Sequence, residues 1–477
     1  MRKVRILNKK GDEIYVLCRP DESLRIGDCL NIGGIIAQVI DVEYATLPGI
    51  LEHILRKSML EGAETQEYIQ QEAKTFLDTL SDHRLAITKI RGTYDGKEFR
   101  PGFIELSVDR SNAPISLMKS EEIANMLELK SKYMADLGET ATREPMNYQL
   151  MLDKLGINLI TGMKGSGKSY AAKKILLKLV ENGKVIVVFD LNGEYVNLWR
   201  NEQGEPGVFA GRFLVLNPKD MKATVSAVPL RIPLNEVGYD EFASFTNTNP
   251  ASQMYNELIV FWARRGPFDL NDLESWVNQN IDNRYVKTGL LGKIRMAKAL
   301  HLFGQFDIKG HITKMEQSGG ALIVNLRGTK RKEREVIVEF VVRRLAGLRT
   351  KKEIKPLCIF AEEAQLYVTR SMWDDILTRM RHYGIFPTFI TNDPTTLPDE
   401  VFSLCDNLIS FKFENEDDLK QISKAKMIDL ETLKLLKSIE FFQCLMIGDL
   451  TNDFPVLIEI TPQKEVMMGG ETQKLFD

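Results

Sequence analysis

Residues 162–169 read Gly162-Met163-Lys164-Gly165-Ser166-Gly167-Lys168-Ser169, a G-x-x-x-x-G-K-S spacing between an apolar strand ending at Thr161 and a helix expected over Tyr170–Leu179. Glycines so placed let a loop turn its backbone N–H groups inward, where they and the helix N-terminus hold phosphate. The Lys168 ammonium would neutralise charge on the β- and γ-phosphates, and the Ser169 hydroxyl suits Mg²⁺. The pattern therefore predicts ATP and Mg²⁺ as ligands, with Gly162 through Ser169 and the helix-opening Tyr170 as contacts. A second set of groups lies far downstream in Pro356-Leu-Cys-Ile-Phe-Ala361-Glu362-Glu363-Ala364, an apolar strand running into two acids. One carboxylate can reach a metal's water shell while its neighbour, pointing elsewhere, orients and deprotonates an attacking water. Glu362 is assigned to Mg²⁺ and Glu363 to the water. For an isolated Glu-Glu the plainer reading is an acidic first helical turn answering the helix dipole.

Elements that would hold these groups follow from the apolar pattern. From Gly156 onward, continuous apolar strands alternate with amphipathic helices, the sequence form of a parallel sheet covered on both faces. Strands are expected at 158–161, 185–190, 213–216, 321–326, 357–361, 386–391 and 408–413, with 441–447 and 456–460 closing the sheet. Residues 235–318 show helical periodicity and no strand. Near the N-terminus, short apolar runs at 4–7, 14–17, 30–32, 35–42 and 85–90, separated by Gly-containing turns, predict a small β-barrel. The expected fold class is α/β: a RecA-like P-loop NTPase core with a mostly parallel sheet, an N-terminal small β-barrel and an inserted helical subdomain. The expected domains are a barrel over 1–110 with a helical insertion at about 51–80, a linker over 111–150, the core over 151–462 with its insertion at about 235–318, and a polar, mobile tail over 463–477.

The 477 residues, 44% apolar and 27% charged, describe a globular chain. With 63 Lys+Arg against 66 Asp+Glu, any nucleic-acid contact must come from a local basic surface. Cys18, Cys29, Cys358, Cys405 and Cys444 lack C-x-x-C spacing, and an odd count precludes a complete disulfide framework. The histidines do not fall into metal-ligand spacing, so no structural metal is expected. No run of 18 apolar residues occurs and the N-terminus turns polar early, which predicts a protein that is cytoplasmic and free of membrane spans.

Further segments make the pattern more specific. The strand after the loop helix ends Val188-Phe-Asp190-Leu-Asn-Gly193-Glu194-Tyr195, similar to the Asp-x-x-Gly-Glu-Tyr segment of HerA-type ATPases of the HerA/FtsK superfamily. Glu362-Glu363-Ala364, then Arg381-His-Tyr383-Gly384, Thr391-Asn392-Asp393-Pro394 and Leu397 to Ile409 resemble the same family's order. The resemblance covers about 150–462, and the N-terminal strands are similar to the small barrel that precedes the motor in HerA proteins. It implies a hexameric homo-oligomer with ATP at subunit boundaries that moves DNA through a pore, serving a separate nuclease or other effector. It also implies that Arg381, with Arg379 in reserve, stabilises charge on the transferring phosphate in a neighbour's site. Asn392 stands where the family has Gln, and by that resemblance senses the γ-phosphate. Lys164 replaces a small residue typical of the family. Asp190 and Glu194 suit either water and metal near the phosphates or a turn cap. For DNA, the run Arg327-Gly-Thr-Lys330-Arg331-Lys332-Glu-Arg334 makes Lys330, Arg331, Lys332 and Arg334 the candidates for gripping phosphates without reading sequence. A nucleotide-controlled ring scaffold that activates a partner without translocation is the competing function, and a secretion or conjugation ATPase is a third.

Overall fold

The computed structural model describes residues 4–19, 24–44, 83–102, 113–218, 227–264, 266–368, 379–425, 428–463, 466 and 468. The expected helical insertion at 51–80 lies outside them. The chain divides into two compact units, one of 1–151, 412–414 and 427–460, the other of 152–411, 415–426 and 461–477.

The first unit opens with an antiparallel sheet of β1 (Arg5–Lys10), β2 (Glu13–Cys18), β3 (Cys29–Ile32), β4 (Ile35–Tyr44), β5 (Arg84–Tyr94), β6 (Phe99–Pro101) and β7 (Ile115–Leu117). Its order is β1-β2-β5-β4-β3-β7, with β6 on β5, which makes an open half-barrel. Period-two alternation puts one face inside: Ile14, Val16 and Cys18 of β2 are buried with Leu30, Ile32, Ala37, Val39 and Ala86. Residues 111–150, expected as a linker, instead carry β7, α1 (Ser120–Met126), β8 (Met134–Thr140) and β9 (Asn147–Met151). Their apolar signal is weak because these elements are short and β8 interleaves buried Ala135 and Leu137 with exposed Asp136 and Glu139.

The second unit holds β10 (Asn158–Thr161), α2 (Lys168–Glu181), β11 (Val185–Asp190), β12 (Phe213–Asn217), β13 (Ala227–Pro229), β14 (Gly320–Asn325), β15 (Leu357–Ala361), β16 (Ile385–Thr391) and β17 (Asn407–Phe411). These strands lie in the order β13-β12-β14-β11-β15-β16-β10-β17, parallel at every pairing. All residues of β10, β11, β14 and β15 are buried, as a sheet covered on both faces requires. Between β13 and β14 come α3 (Tyr239–Phe245), α4 (Gln253–Trp262), α5 (Leu270–Asn280), α6 (Arg284–Ala299) and α7 (Ile308–Met315). Phe242, Phe245, Phe261, Trp262, Phe268, Trp276 and Phe303 meet in this insertion at tilted and edge-to-face angles. Helix α8 (Arg331–Thr350) leads from β14 to β15, and α9 (Asp399–Leu404) and α10 (Glu416–Ile422) flank β17 in sequence. The expected strands at 158–161 and 357–361 match β10 and β15 end to end. The three-residue β13, half proline-bounded, carries too little pattern to be foreseen.

Helix α11 (Leu430–Ser438), β18 (Gln443–Gly448) and β19 (Val456–Ile460) belong to the first unit. The last two strands, expected to close the parallel sheet, form an antiparallel pair, and β19 also pairs antiparallel with β8. A charge network ties α11 to the half-barrel. Lys89 Nζ lies 3.0 Å from both Asp12 Oδ2 and Asp429 Oδ1 and 3.2 Å from Glu431 Oε2, and Arg91 Nη1 donates to Thr432 Oγ1 at 2.8 Å. Burial alone would raise the Asp429 carboxyl, yet the Thr432 N–H, Lys89 and Arg91 hold it below its ordinary value. Its stabilising effect is therefore complete above pH ~4 and is lost as pH falls further. Asp429→Asn should lower unfolding free energy at neutral pH by about 1–3 kcal/mol, discounted for the partial exposure of the acid, because it leaves two buried cations short of a partner. Urea unfolding should show that gap shrinking as pH is taken toward ~3; a gap independent of pH would contradict the assignment.

Candidate functional site

In the second unit, the parallel order gathers the segments following β10, β11, β15 and β16 at one edge of the sheet, the carboxyl ends where open α/β sheets bind ligands. The loop 162–167 leaves β10 with Gly162, Gly165 and Gly167 all at positive φ (151°, 79° and 114°). A Cβ on Gly162 would come within 2.5 Å of Phe411 Cβ and 2.9 Å of Ser166 Oγ, so only glycine fits there. Gly167 is the left-handed N-cap of α2, which starts at Lys168, two residues before the expected Tyr170. Ser166 is fully buried and its Oγ has no hydrogen-bond partner among the described residues. Lys168 Nζ donates to Met163 O at 2.9 Å across the loop. Burial pushes the Lys168 ammonium down, against the opposing pull of Glu362, Glu363 and Glu194. A glycine cradle at a helix N-terminus, with a buried cation and an orphaned hydroxyl, is the donor set a polyphosphate requires. Lys164 is exposed.

The acidic strand meets this loop directly. Glu362 N donates to Phe189 O at 3.2 Å, extending β15 alongside β11 by one residue. Its buried carboxylate then accepts from Ser169 Oγ at 2.9 Å and from Tyr195 OH at 2.8 Å. Hydroxyl and carboxylate oxygens in contact are hard donors of the kind Mg²⁺ takes, so Ser169 and Glu362 fit that ion. Burial pushes the Glu362 carboxyl up to about 7; the Tyr195 and Ser169 hydrogen bonds oppose this, and the Glu194 and Glu363 charges add to it. Glu363 takes φ +51°, a left-handed conformation costing about 1–2 kcal/mol outside glycine. That turn sends its side chain away from Glu362's, toward Gln365 Nε2 at 2.6 Å and Asn392 Nδ2 at 3.4 Å.

Other predicted residues divide. Asp190, with no exposed surface, accepts the N–H groups of Gly193, Glu194 and Tyr195 at 2.9, 3.0 and 2.9 Å, so it caps the turn after β11. Burial raises its carboxyl to about 6. Glu194 Oε2 pairs with buried Lys173 Nζ of α2 at 3.0 Å. Lys173 also donates to Met468 O at 3.1 Å, so Met468 of the expected mobile tail lies on α2, and Lys174 donates to Thr461 Oγ1 at 2.7 Å just before that tail. Arg381 forms an ion pair with Asp406, whose Oδ2 accepts Ile157 N at 2.7 Å just before β10. It therefore stands at the amino ends of the strands, the opposite edge from its own loop; Arg379, also exposed, precedes it on the same helical segment. The basic run is split. Arg331 pairs with Glu335 at 2.9 Å, Lys332 Nζ donates to Ser244 O at 2.9 Å and to Asn247, and Lys330 caps α8. Arg331 and Arg334 line a cavity of about 630 Å³ with Gln365, Leu366, Val368, Thr396, Leu397, Pro398 and Asp399. Arg334 Nε is buried without a hydrogen-bond partner among the described residues.

Tyr195 and Gln365 escaped sequence reasoning as site residues. Tyr195 closed the Asp-x-x-Gly-Glu-Tyr segment, yet only the pairing of β11 with β15 shows that its hydroxyl reaches Glu362. Because the Glu362 folded value of about 7 exceeds its ordinary 4.5, ionising it costs folding free energy across that window. Metal-free wild-type protein should thus lose thermal stability relative to Glu362→Gln as pH rises from about 5 to about 8, by several degrees in scanning calorimetry. A constant difference would contradict the burial argument.

Residues 135–345 match the family model of the central domain of helicase HerA. The match spans the glycine loop, the Asp190–Tyr195 turn and the basic run, and stops before Glu362. A probable helicase of Methanocaldococcus jannaschii, MJ1565, is 21% identical over 98% of this chain and 91% of its own length. Among solved structures, VirB4 of Thermoanaerobacter pseudethanolicus is 14% identical over 70% of this chain and 98% of that one, with a TM-score of 0.47. The bacterial conjugative coupling protein TrwB, 13% identical over 74% of this chain and 95% of its own, gives 0.48. Over residues 135–345, less than half of the chain, the protein is thus similar to the central domain of helicase HerA, and its glycine loop and acid-tipped strand are those of a P-loop ATPase.

Proposed function

We propose that this ATPase is a DNA translocase or helicase that assembles as a hexameric ring, hydrolyses ATP at subunit boundaries and passes DNA through a central pore, with a separate nuclease or effector as partner. The observation that carries the hydrolytic part is the contact of Ser169 Oγ with Glu362, which joins the glycine loop to the acid-tipped strand in one site. The backbone of 162–169 and Lys168 hold the phosphates, and Lys168 exchanges its bond to Met163 O for one to phosphate. Ser169 and Glu362 would hold Mg²⁺, which would supply positive charge against the phosphates. Glu363 orients the attacking water and takes its proton, and Asn392, just past the end of the neighbouring β16, senses the γ-phosphate.

Arg381 stands at the far edge of the sheet from its own loop, which supports action on a neighbouring subunit's phosphate, with Arg379 in reserve. The DNA part of the reading rests on the HerA central-domain match and on the cations that open α8. Of the four, Arg331 and Arg334 have the better claim, since they face a cavity while Lys332 is committed to α3 and its following turn.

Purified protein should show ATPase activity that rises on adding DNA. Lys168→Ala should remove turnover by about 100-fold or more, and Glu363→Gln should still bind ATP while turnover is similarly lost. Mass photometry of Glu363→Gln with ATP and DNA should register six-fold particles carrying DNA. An ATPase rate indifferent to every form of DNA, with no DNA-bearing ring, would reject the translocase in favour of a nucleotide-controlled scaffold.

A further inference from the structure

We infer that Gln365 is the positioning residue for Glu363, fixing which carboxylate oxygen serves as the base; the inference rests on the hydrolytic reading above. The chain of bonds starts at the end of β16, the strand beside β15. Thr391 Oγ1 accepts the Asp393 N–H at 3.0 Å, so its hydroxyl proton is left to donate, and it does so to Gln365 Oε1 at 2.8 Å. That bond sets the Gln365 amide one way round. Its NH₂ group must face the other side, where Nε2 donates to Glu363 Oε2 at 2.6 Å and to Asn392 Oδ1 at 3.0 Å. Both acceptors are then satisfied by one amide group. Asn392, its oxygen occupied, turns its own Nδ2 to Glu363 Oε1 at 3.4 Å, a long contact.

The two oxygens of Glu363 are thereby unequal. Oε2 carries a short charge-assisted bond and is anchored, whereas Oε1 is only loosely held and remains able to accept a proton from water. The asymmetry requires the left-handed backbone at Glu363, because the short 3₁₀ turn Ala364–Leu366 that follows returns Gln365 beneath the same carboxylate. Glu363 and Asn392, which come from the ends of β15 and β16, thus act as one unit with Gln365 between them and Thr391 setting its orientation. Gln365 touches neither of the groups assigned to Mg²⁺, so its loss should leave nucleotide binding intact and act on the chemical step.

Steady-state ATPase kinetics on the full chain test this, with nucleotide affinity read by a fluorescent ATP analogue. Gln365→Met, of equal length without hydrogen bonding, and Gln365→Glu, of equal shape without the donor, should each lower kcat by about 10- to 100-fold with KM and nucleotide affinity within about two-fold of wild type. Thr391→Val should lower kcat by a smaller factor, and adding it to Gln365→Met should cause no further loss, because both act through one amide. Wild-type kcat in either Gln365 variant, a KM rising in step with the loss, or multiplicative effects of the two sites would overturn the assignment. Absence of turnover in the wild type, or turnover that survives Lys168→Ala, would instead strike the hydrolytic reading beneath it.

Discussion

The second unit is organised around the cost of placing charge at the carboxyl ends of a fully covered parallel sheet. Glu362, Asp190, Lys168 and Lys173 are all buried there, and isolated ions so placed would cost several kcal/mol each. Every one of them is answered locally: Asp190 by three backbone N–H groups, Lys173 by Glu194, Lys168 by a loop carbonyl, and Glu362 by two hydroxyls. The Glu362 and Lys168 answers are the weakest. Both groups are pushed toward their neutral forms by burial, and both would gain from a polyanion and a divalent cation arriving together.

Strand order makes this arrangement possible. With β16 between β10 and β15, the loop and the paired acids are held one strand apart, wide enough for a phosphate chain and close enough for Ser169 to touch Glu362. The interposed strand supplies Thr391 and Asn392 at its tip, in line with the acids. Helix α2, which follows the glycine loop, is fastened near its middle by Lys173 and Lys174 to Glu194, Thr461 and Met468, so the loop stands on a braced support.

Much of this was legible in the chain. Gly162 to Ser169 and Glu362-Glu363 stand out by type and spacing, because glycines at fixed offsets let a loop turn its N–H groups inward, and paired acids gain a reading beyond the helix dipole when they follow such a loop. The bounds of β10, β15 and β19 follow from apolar runs cut by polar residues. What stayed hidden depends on which strand ends become neighbours. Asp406 answers Arg381 across 25 positions, Tyr195 reaches Glu362, and Gln365 joins Asn392, and none of these pairs leaves a local pattern. The region 111–150 stayed obscure for a related reason: β8 and β9 are stabilised by each other and by β19, more than 300 positions on, and their own alternation is short.

Nucleotide chemistry at this sheet edge requires one site formed jointly by the loop at 162–169 and the acids at 362–363. An experimental structure with a non-hydrolysable ATP analogue and Mg²⁺ tests that most directly. It should place the phosphates within the loop's N–H groups, with Lys168 Nζ moved from Met163 O to phosphate and the metal on Ser169 Oγ beside Glu362. Nucleotide bound elsewhere, or Lys168 still bonded to Met163 O with the metal away from Ser169, would contradict it.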